Sequence, residues 1–357
     1  MKLRIYLFGD LKSDWYPKNA IQMFKTFSSF EFVNSPSKAH IIWKFSYGLK
    51  LNRPTSKQNR LKSTFNQLIR GTKFIDPKKQ MMISSFHHLY EPKKNNWINK
   101  VTTTDAQSDV IHFFSNKNAK ENIKYFNNPI FVLPYWIETD KFKPLSFEDK
   151  KSIKSNLNLA KDKIIIGSFQ RDTEKDLLSP KLEKGPDIFC DIVESLNNNE
   201  IFILLAGPRR NYVTNRLKKA NIGFLDLGHV EYQNMNKLYN AVDYYLVTSR
   251  VEGGPQAILE CMASNTPIYS TPVGIANLLD NQVVQSNTSE FVKSIQNNYP
   301  PVLDTHLKNA YKFDVSNIIK SYEQNFTEIY ESFINKKTFY KNRPTGIDWF
   351  NTKREVL

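Results

Sequence analysis

The sequence predicts an α/β protein built from two doubly wound domains, and three observations carry that expectation. The chain has 357 residues, enough for two domains, each with its own core. From residue 163 onward, short apolar runs alternate with amphipathic stretches over five strands and four helices, the order of a parallel sheet covered by helices. Residues 1–150 hold further short apolar runs of the same kind. The expected division is 1–145, 146–320, and a C-terminal helix and tail, 321–357, that crosses back to the first domain or hangs loose.

In chain order, residues 2–8 read as a first strand running into Gly9. A glycine there either lets a ligand approach the backbone at the strand's end or simply makes a turn. Residues 19–27 read as a helix, 31–33 and 40–45 as strands. Ser56 to Arg70 carries Leu61, Phe65, Leu68 and Ile69 on one helical face, with Lys57, Arg60, Lys62 and Arg70 around it. That pattern suits a helix packed on a sheet and equally one lying on a membrane surface. Met81 to Phe86 is a strand leading into His87-His88, and 109–115 is another buried strand. A helix over 116–126 follows, then a strand from Ile130 broken at Pro134.

In the second half, 163–169 is a strand with Arg171 at its end, and Lys184-Gly185-Pro186-Asp187 opens an amphipathic helix. The charged stretch between them, 172–183, reads as a loop. Residues 201–207 and 224–230 are strands, the latter ending in a turn at Gly228. A short helix over 235–241 precedes the apolar run Tyr244 to Val247.

Composition bounds the environment. Cys190 and Cys261 sit in apolar helical patterns without metal-ligand spacing, as buried thiols of a reducing compartment do. No apolar run reaches the eighteen or so residues of a membrane span, and the one at the N-terminus is too short for a signal peptide. The expected location is the cytoplasm. The net charge of +15 is uneven: residues 1–150 hold 25 basic and 12 acidic residues, and Lys38 to Lys79 holds 11 basic residues against Asp76 alone. One half therefore faces something negative: nucleic acid, an anionic bilayer or an anionic acceptor. The basic stretch lacks a nucleic-acid reading motif and has few stacking aromatics, which argues against the first.

The most informative stretch is Ser249 to Asn277, SRVEGGPQAILECMASNTPIYSTPVGIAN. A buried strand, a turn at Glu252-Gly253-Gly254-Pro255 and a helix beginning at Pro255 make an anion site. The N–H groups there lack partners and the helix dipole favours negative charge. The donors would come from Gly253, Gly254 and Gln256, with Pro255 shaping the helix start. Glu252 and Glu260 flank the site as acceptors suited to sugar and ribose hydroxyls.

The spacing of Glu252 and Glu260 within EGGPQAILECMA resembles the paired-glutamate motif of the retaining family 4 glycosyltransferases. The resemblance extends strongly over about 163–285 and loosely before 150. It implies the GT-B fold, two Rossmann-like domains facing each other across a cleft. It also implies transfer of a sugar from a nucleotide diphosphate donor with the anomeric configuration retained. The first domain would take the acceptor and the second the nucleotide. By the same resemblance Glu252 holds the donor sugar, Glu260 the ribose, and Arg171 and Lys184 the diphosphate. Gly228, His229 and Val230 would lie beside the base, and His87, which fits the family's position better than His88, would face the sugar. Here twelve residues separate Arg171 from Lys184 where the family has about four, so Lys175 or Lys181 could stand in for Lys184. Trp136 and Ile137 stand where a glycine or asparagine is usual.

No Asp-x-Asp pair is present, and helix end and basic side chains would carry the leaving-group charge, so no metal and no cofactor is expected. The expected partners are a nucleotide-sugar donor, a glycan or lipid-linked acceptor, and an anionic inner membrane surface through Lys38 to Lys79. The alternative function is a catalytically silent subunit of the same fold that binds sugar or nucleotide.

Overall fold

The computed structural model describes residues 2–9, 16–46, 75–76, 78–196, 199–297, 303–335 and 348–350. The chain forms two compact units, Met1–Trp136 with Val315–Leu357, and Ile137–Asp314. The basic stretch from Lys38 to Lys79, with the helix expected over 56–70, lies mostly outside the described residues.

In the first unit, parallel strands β1 (Arg4–Phe8), β2 (Glu31–Phe32), β3 (Ile41–Lys44), β4 (Met81–Phe86), β5 (Val110–Phe113) and β6 (Ile130–Val132) are joined by β12 (Asp348–Phe350). The order is β12-β6-β5-β4-β3-β1-β2, with β12 antiparallel to β6. The central strands β3, β4 and β5 are buried at every position because both sheet faces are covered. On one face α1 (Tyr16–Phe27) and α11 (Val315–Ile334) meet the sheet through an aromatic cluster. Phe24 stands 4.9 Å from Trp43, Phe326 5.0 Å from Trp43, and Tyr322 5.4 Å from Trp136, centroid to centroid. On the other, α2 (Lys94–Gln107) buries Trp97 and Val101 against Phe86, Ile111 and Phe113. After β5 come α3 (Asn116–Asn122) and a 3-10 turn, Ile123–Tyr125, with Ser115 capping the helix by accepting the Asn118 N–H.

The division between units falls earlier than 145 and 320. Trp136 is fully buried in the first unit's aromatic cluster, while Ile137 bonds to Phe313 through its N–H. The next residues belong to the second unit: Thr139 donates twice to Asp314, and the Lys143 and Leu145 N–H groups donate to Asn236 and Asn240. Trp136 and Ile137 thus serve as two anchors, one to each unit.

The second unit holds α4 (Phe147–Asn156), β7 (Ile164–Phe169), α5 (Pro186–Glu194), β8 (Ile201–Ala206), α6 (Asn211–Lys219), β9 (Phe224–Asp226), α7 (Met235–Ala241), β10 (Tyr244–Val247), α8 (Gln256–Ser264), β11 (Ile268–Ser270), α9 (Thr288–Gln296) and α10 (Leu303–Lys312). Its sheet is fully parallel in the order β11-β10-β7-β8-β9. The order reverses between β7 and β10, the kind of switch point where open α/β sheets bind ligands. Cys190 and Cys261 are buried thiols. Burial pushes Cys190 up to about 12 and Cys261 well above its ordinary value, so neither is a thiolate near neutral pH.

Candidate functional site

The site of the second unit is assembled where the strand-to-helix segment after β7 meets the one after β10. Gly185 is the hinge of that meeting. It has φ +60, and a Cβ on it would lie 1.8 Å from the Thr248 carbonyl oxygen. The absent side chain lets the two backbones touch. Thr248 Oγ1 donates to the Gly185 carbonyl at 2.9 Å, and the Arg250 N–H donates to the Glu183 carbonyl at 3.0 Å. Arg250 then grips Asp187 through both terminal nitrogens, at 2.7 and 2.5 Å, and the Leu182 carbonyl at 2.9 Å. Bidentate pairing of this kind fixes orientation as well as distance.

The consequence is an ion pair between Lys184 Nζ and Glu252 Oε1. Ser249 Oγ donates to the same carboxylate oxygen at 3.0 Å. Lys181, the other candidate, pairs instead with Glu183. The stretch 172–183 is more ordered than a surface loop: Asp172 and Thr173 are fully buried, and Thr173 bridges to Pro180.

Glu252, Gly253, Gly254 and Pro255 are all buried, and Gln256 is half-buried. Pro255 is the residue that precedes α8 rather than its first helical residue, because its ψ of 113° is not helical. Neither glycine of the turn is left-handed; the left-handed glycine packed against it is Gly274. Gly274 has φ +50, and its missing Cβ leaves room for Pro255 Cδ and the Glu252 carbonyl. In α8, Glu260 is 7% exposed and accepts from the Tyr239 hydroxyl at 2.6 Å. Burial raises its carboxyl to about 7, although the Tyr239 bond works the other way. Tyr232, whose hydroxyl is buried without a partner, stands close enough to feel that charge.

Arg171 follows β7 and is held below its ordinary basicity first by burial and then by the charge of Arg209. Gly228 has φ +62 with open space above its Cα. Its N–H is held by Asp226 and its carbonyl accepts from Gly207 at 2.6 Å. His229 is exposed and Val230 half-buried.

Gly9 and His87 belong to the first unit. A Cβ on Gly9 would meet Ile21 Cδ1 at 2.0 Å, so the glycine makes room for α1. His87 engages Tyr135 through Nδ1 and the Phe45 carbonyl through Nε2 at 2.8 Å, and stacks on Phe114 at 5.0 Å. Among the described residues no three His, Cys, Asp or Glu side chains gather as metal ligands. No described helix is long and apolar enough to cross a membrane.

Residues 177–298 match the family model "Glycosyl transferases group 1". Over 159 residues the chain is 28% identical to the lipopolysaccharide core biosynthesis mannosyltransferase LpsB of Rhizobium meliloti, covering 42% of each chain. Over 173 residues it is 24% identical to the putative teichuronic acid biosynthesis glycosyltransferase TuaC of Bacillus subtilis, covering 47% of this chain and 40% of that one. The chain thus spans less than half the length of the curated relatives it matches. Among solved structures, Anabaena HepE in complex with UDP and glucose superposes with a TM-score of 0.67 at 12% identity, covering 91% of this chain and 99% of that one. Sucrose-phosphate synthase from Thermosynechococcus elongatus gives 0.62 at 13%, covering 83% and 75%. The fold is GT-B, and the segment that matches the group 1 glycosyltransferase model, 177–298, carries Lys184, Glu252 and Glu260.

Proposed function

We propose that this protein is a retaining glycosyltransferase that moves a sugar from a nucleoside diphosphate donor to a glycan or lipid-linked acceptor. The observation that carries the reading is the Lys184–Glu252 pair docked on the turn before α8, with Glu260 behind it on the same helix. The paired lysine and Glu252 stand at the turn before the helix and Glu260 lies within that helix, and a nucleotide sugar offers a diphosphate, a hexose and a ribose to match. The sugar's bond to the β-phosphate oxygen breaks and a bond to the acceptor oxygen forms on the same face, with the acceptor's proton leaving with the diphosphate. Charge builds on the departing phosphate, where Arg171, Lys184 and the N–H groups of Gly253, Gly254 and Gln256 stabilise it most in the transition state. On donor binding Lys184 passes from Glu252 to the phosphate and frees the carboxylate for sugar hydroxyls. These groups supply the positive charge unaided, so activity should survive chelation by EDTA. The basic first unit suits an anionic acceptor or bilayer, and vesicle co-sedimentation with Lys57, Arg60 and Lys62 changed to glutamate tests the latter.

A thermal-shift panel of UDP-, GDP- and ADP-sugars, followed by NMR of the product's anomeric centre, tests the main reading. No shift with any donor, or an inverted product, would overturn it.

Glu260 supplies a pH signature. Its folded carboxyl titrates at about 7 against an ordinary 4.5. The native state therefore holds its proton while the unfolded state has lost it, and stability falls as pH rises from about 4.5 through 7. Glu260→Gln should be the more stable protein at pH 8, by up to ~3 kcal/mol, and should lose that advantage at pH 5. Only the carboxylate accepts two ribose hydroxyls, so affinity for the nucleotide sugar, whose diphosphate does not titrate near neutral pH, should climb with pH through 7 in the parent and stay flat in Glu260→Gln. Melting curves and titration calorimetry at the two pH values read both effects.

A further inference from the structure

Strands β7 and β8 lie side by side with Phe169 opposite Ala206, so the segments leaving them emerge together at the ligand-binding end of the sheet. Each delivers an arginine, Arg171 after β7 and Arg209 after β8. The two like charges act on one another, an arrangement unfavourable in itself.

The backbone at Arg209 is also unusual. Its φ is +61, the left-handed region that a long side chain enters only at a cost. Three donors hold it there: the Arg209 carbonyl accepts from the N–H groups of Asp172 at 3.1 Å and Thr173 at 3.3 Å, and from Thr173 Oγ1 at 3.0 Å. The neighbouring Arg210 locks the same junction from inside. It is 3% exposed, donates to the Gln170 carbonyl and to Ser168 Oγ, and stands 3.6 Å from Asp172. Asp172 in turn accepts the N–H groups of Tyr212 and Val213 in the first turn of α6, so that helix end is already satisfied. Gln170 Nε2 donates to the Lys184 carbonyl at 3.1 Å, which ties the junction to the lysine of the site. Amid this bonding, the half-exposed Arg209 side chain has no hydrogen bond or ion pair among the described residues. A position whose only task was the turn would favour glycine or asparagine.

We propose that Arg209 is a second diphosphate-binding guanidinium, closing with Arg171 on the phosphates of the donor. This rests on the nucleotide-diphosphate reading above. A dianionic pyrophosphate resolves the like-charge contact and accepts the planar forks of both arginines, which lysines could not match in geometry. The unfavourable φ and the facing charges are then features of the free protein that bound phosphate offsets.

The test uses Arg209→Gly and Arg209→Asn, both at ease at positive φ. Their melting temperatures should equal or exceed the parent's, because both relieve the strained φ and the like-charge contact. Calorimetry with the tightest binder among UDP, GDP and ADP should show affinity weakened roughly ten- to hundredfold. Inorganic pyrophosphate should weaken in parallel, and the nucleoside of the same base should be unaffected. A parent that binds none of the three diphosphates would remove the functional reading itself. A parent that binds, with variants that bind equally well, would overturn the role of Arg209 alone. Equal losses for nucleoside and diphosphate with a lowered melting temperature would also overturn it, by making Arg209 structural.

Discussion

Replacing Gly185 with alanine is expected to abolish sugar transfer and to destabilise the second unit. The new Cβ would lie 1.8 Å from the Thr248 carbonyl oxygen and 2.7 Å from its carbon. These are backbone atoms of the segment leaving β10 and cannot swing aside as a side chain would. The φ of +60 adds strain of its own, on the order of 1–2 kcal/mol. Relief requires the 182–187 segment to lift away, which breaks the Thr248–Gly185 and Arg250–Glu183 bonds and withdraws Lys184 from Glu252. Gly228→Ala is the control. It has a similar φ of +62 but nothing within 4 Å of the added Cβ, so it should cost only the backbone term. Denaturant unfolding compares the two, and initial transfer rates measure Gly185→Ala. If the two variants behave alike, the close approach at Gly185 is not what builds the site.

The second unit was legible in the sequence because each of its strands is a short apolar run between turn residues, and the parallel alternation leaves few other topologies. The turn before α8 was legible for the same reason. What escaped was set by tertiary contact. The helix α2, KNNWINKVTTTDAQ, is rich in asparagine and threonine, poor helix formers. It forms because Trp97, Val101, Thr104 and Asp105 bury one face, and Asp105 is paid back by the N–H groups of Asn127 and Asn128. β12 is three residues of a tail that pair with an edge strand, a partnership no local pattern announces.

In the candidate site, Glu252 and Glu260 stood out by spacing, whereas Arg250, Gly274 and Arg209 did not. Arg250 matters through Asp187, 63 residues away. Gly274 matters through the space it leaves for Pro255. The long spacer between Arg171 and Lys184 left three lysines open. The choice depends on Gly185, whose contact with Thr248 carries its neighbour Lys184 to the glutamate.

That choice sets the second large effect. Lys184→Ala should reduce kcat/KM by roughly a hundred- to a thousandfold, the loss typical of one removed oxyanion donor. It should also destabilise the free protein, because the Glu252 side chain is only 11% exposed and would lose the lysine that pairs with it. Breaking one side of a buried pair costs about 3–5 kcal/mol, whereas removing both partners costs far less. Lys184→Met with Glu252→Gln should therefore recover stability while transfer stays lost, separating the two roles of the lysine. Lys181→Ala breaks only the pair with Glu183 and should leave kcat/KM within a few-fold of the parent's. The pattern is read from four proteins in one denaturation series and one rate series. A damaging Lys181→Ala beside a silent Lys184→Ala would transfer the diphosphate contact to Lys181. It would also mean that the Lys184–Glu252 pair is purely structural, since only a lysine that exchanges its partner for phosphate links stability to turnover in this way.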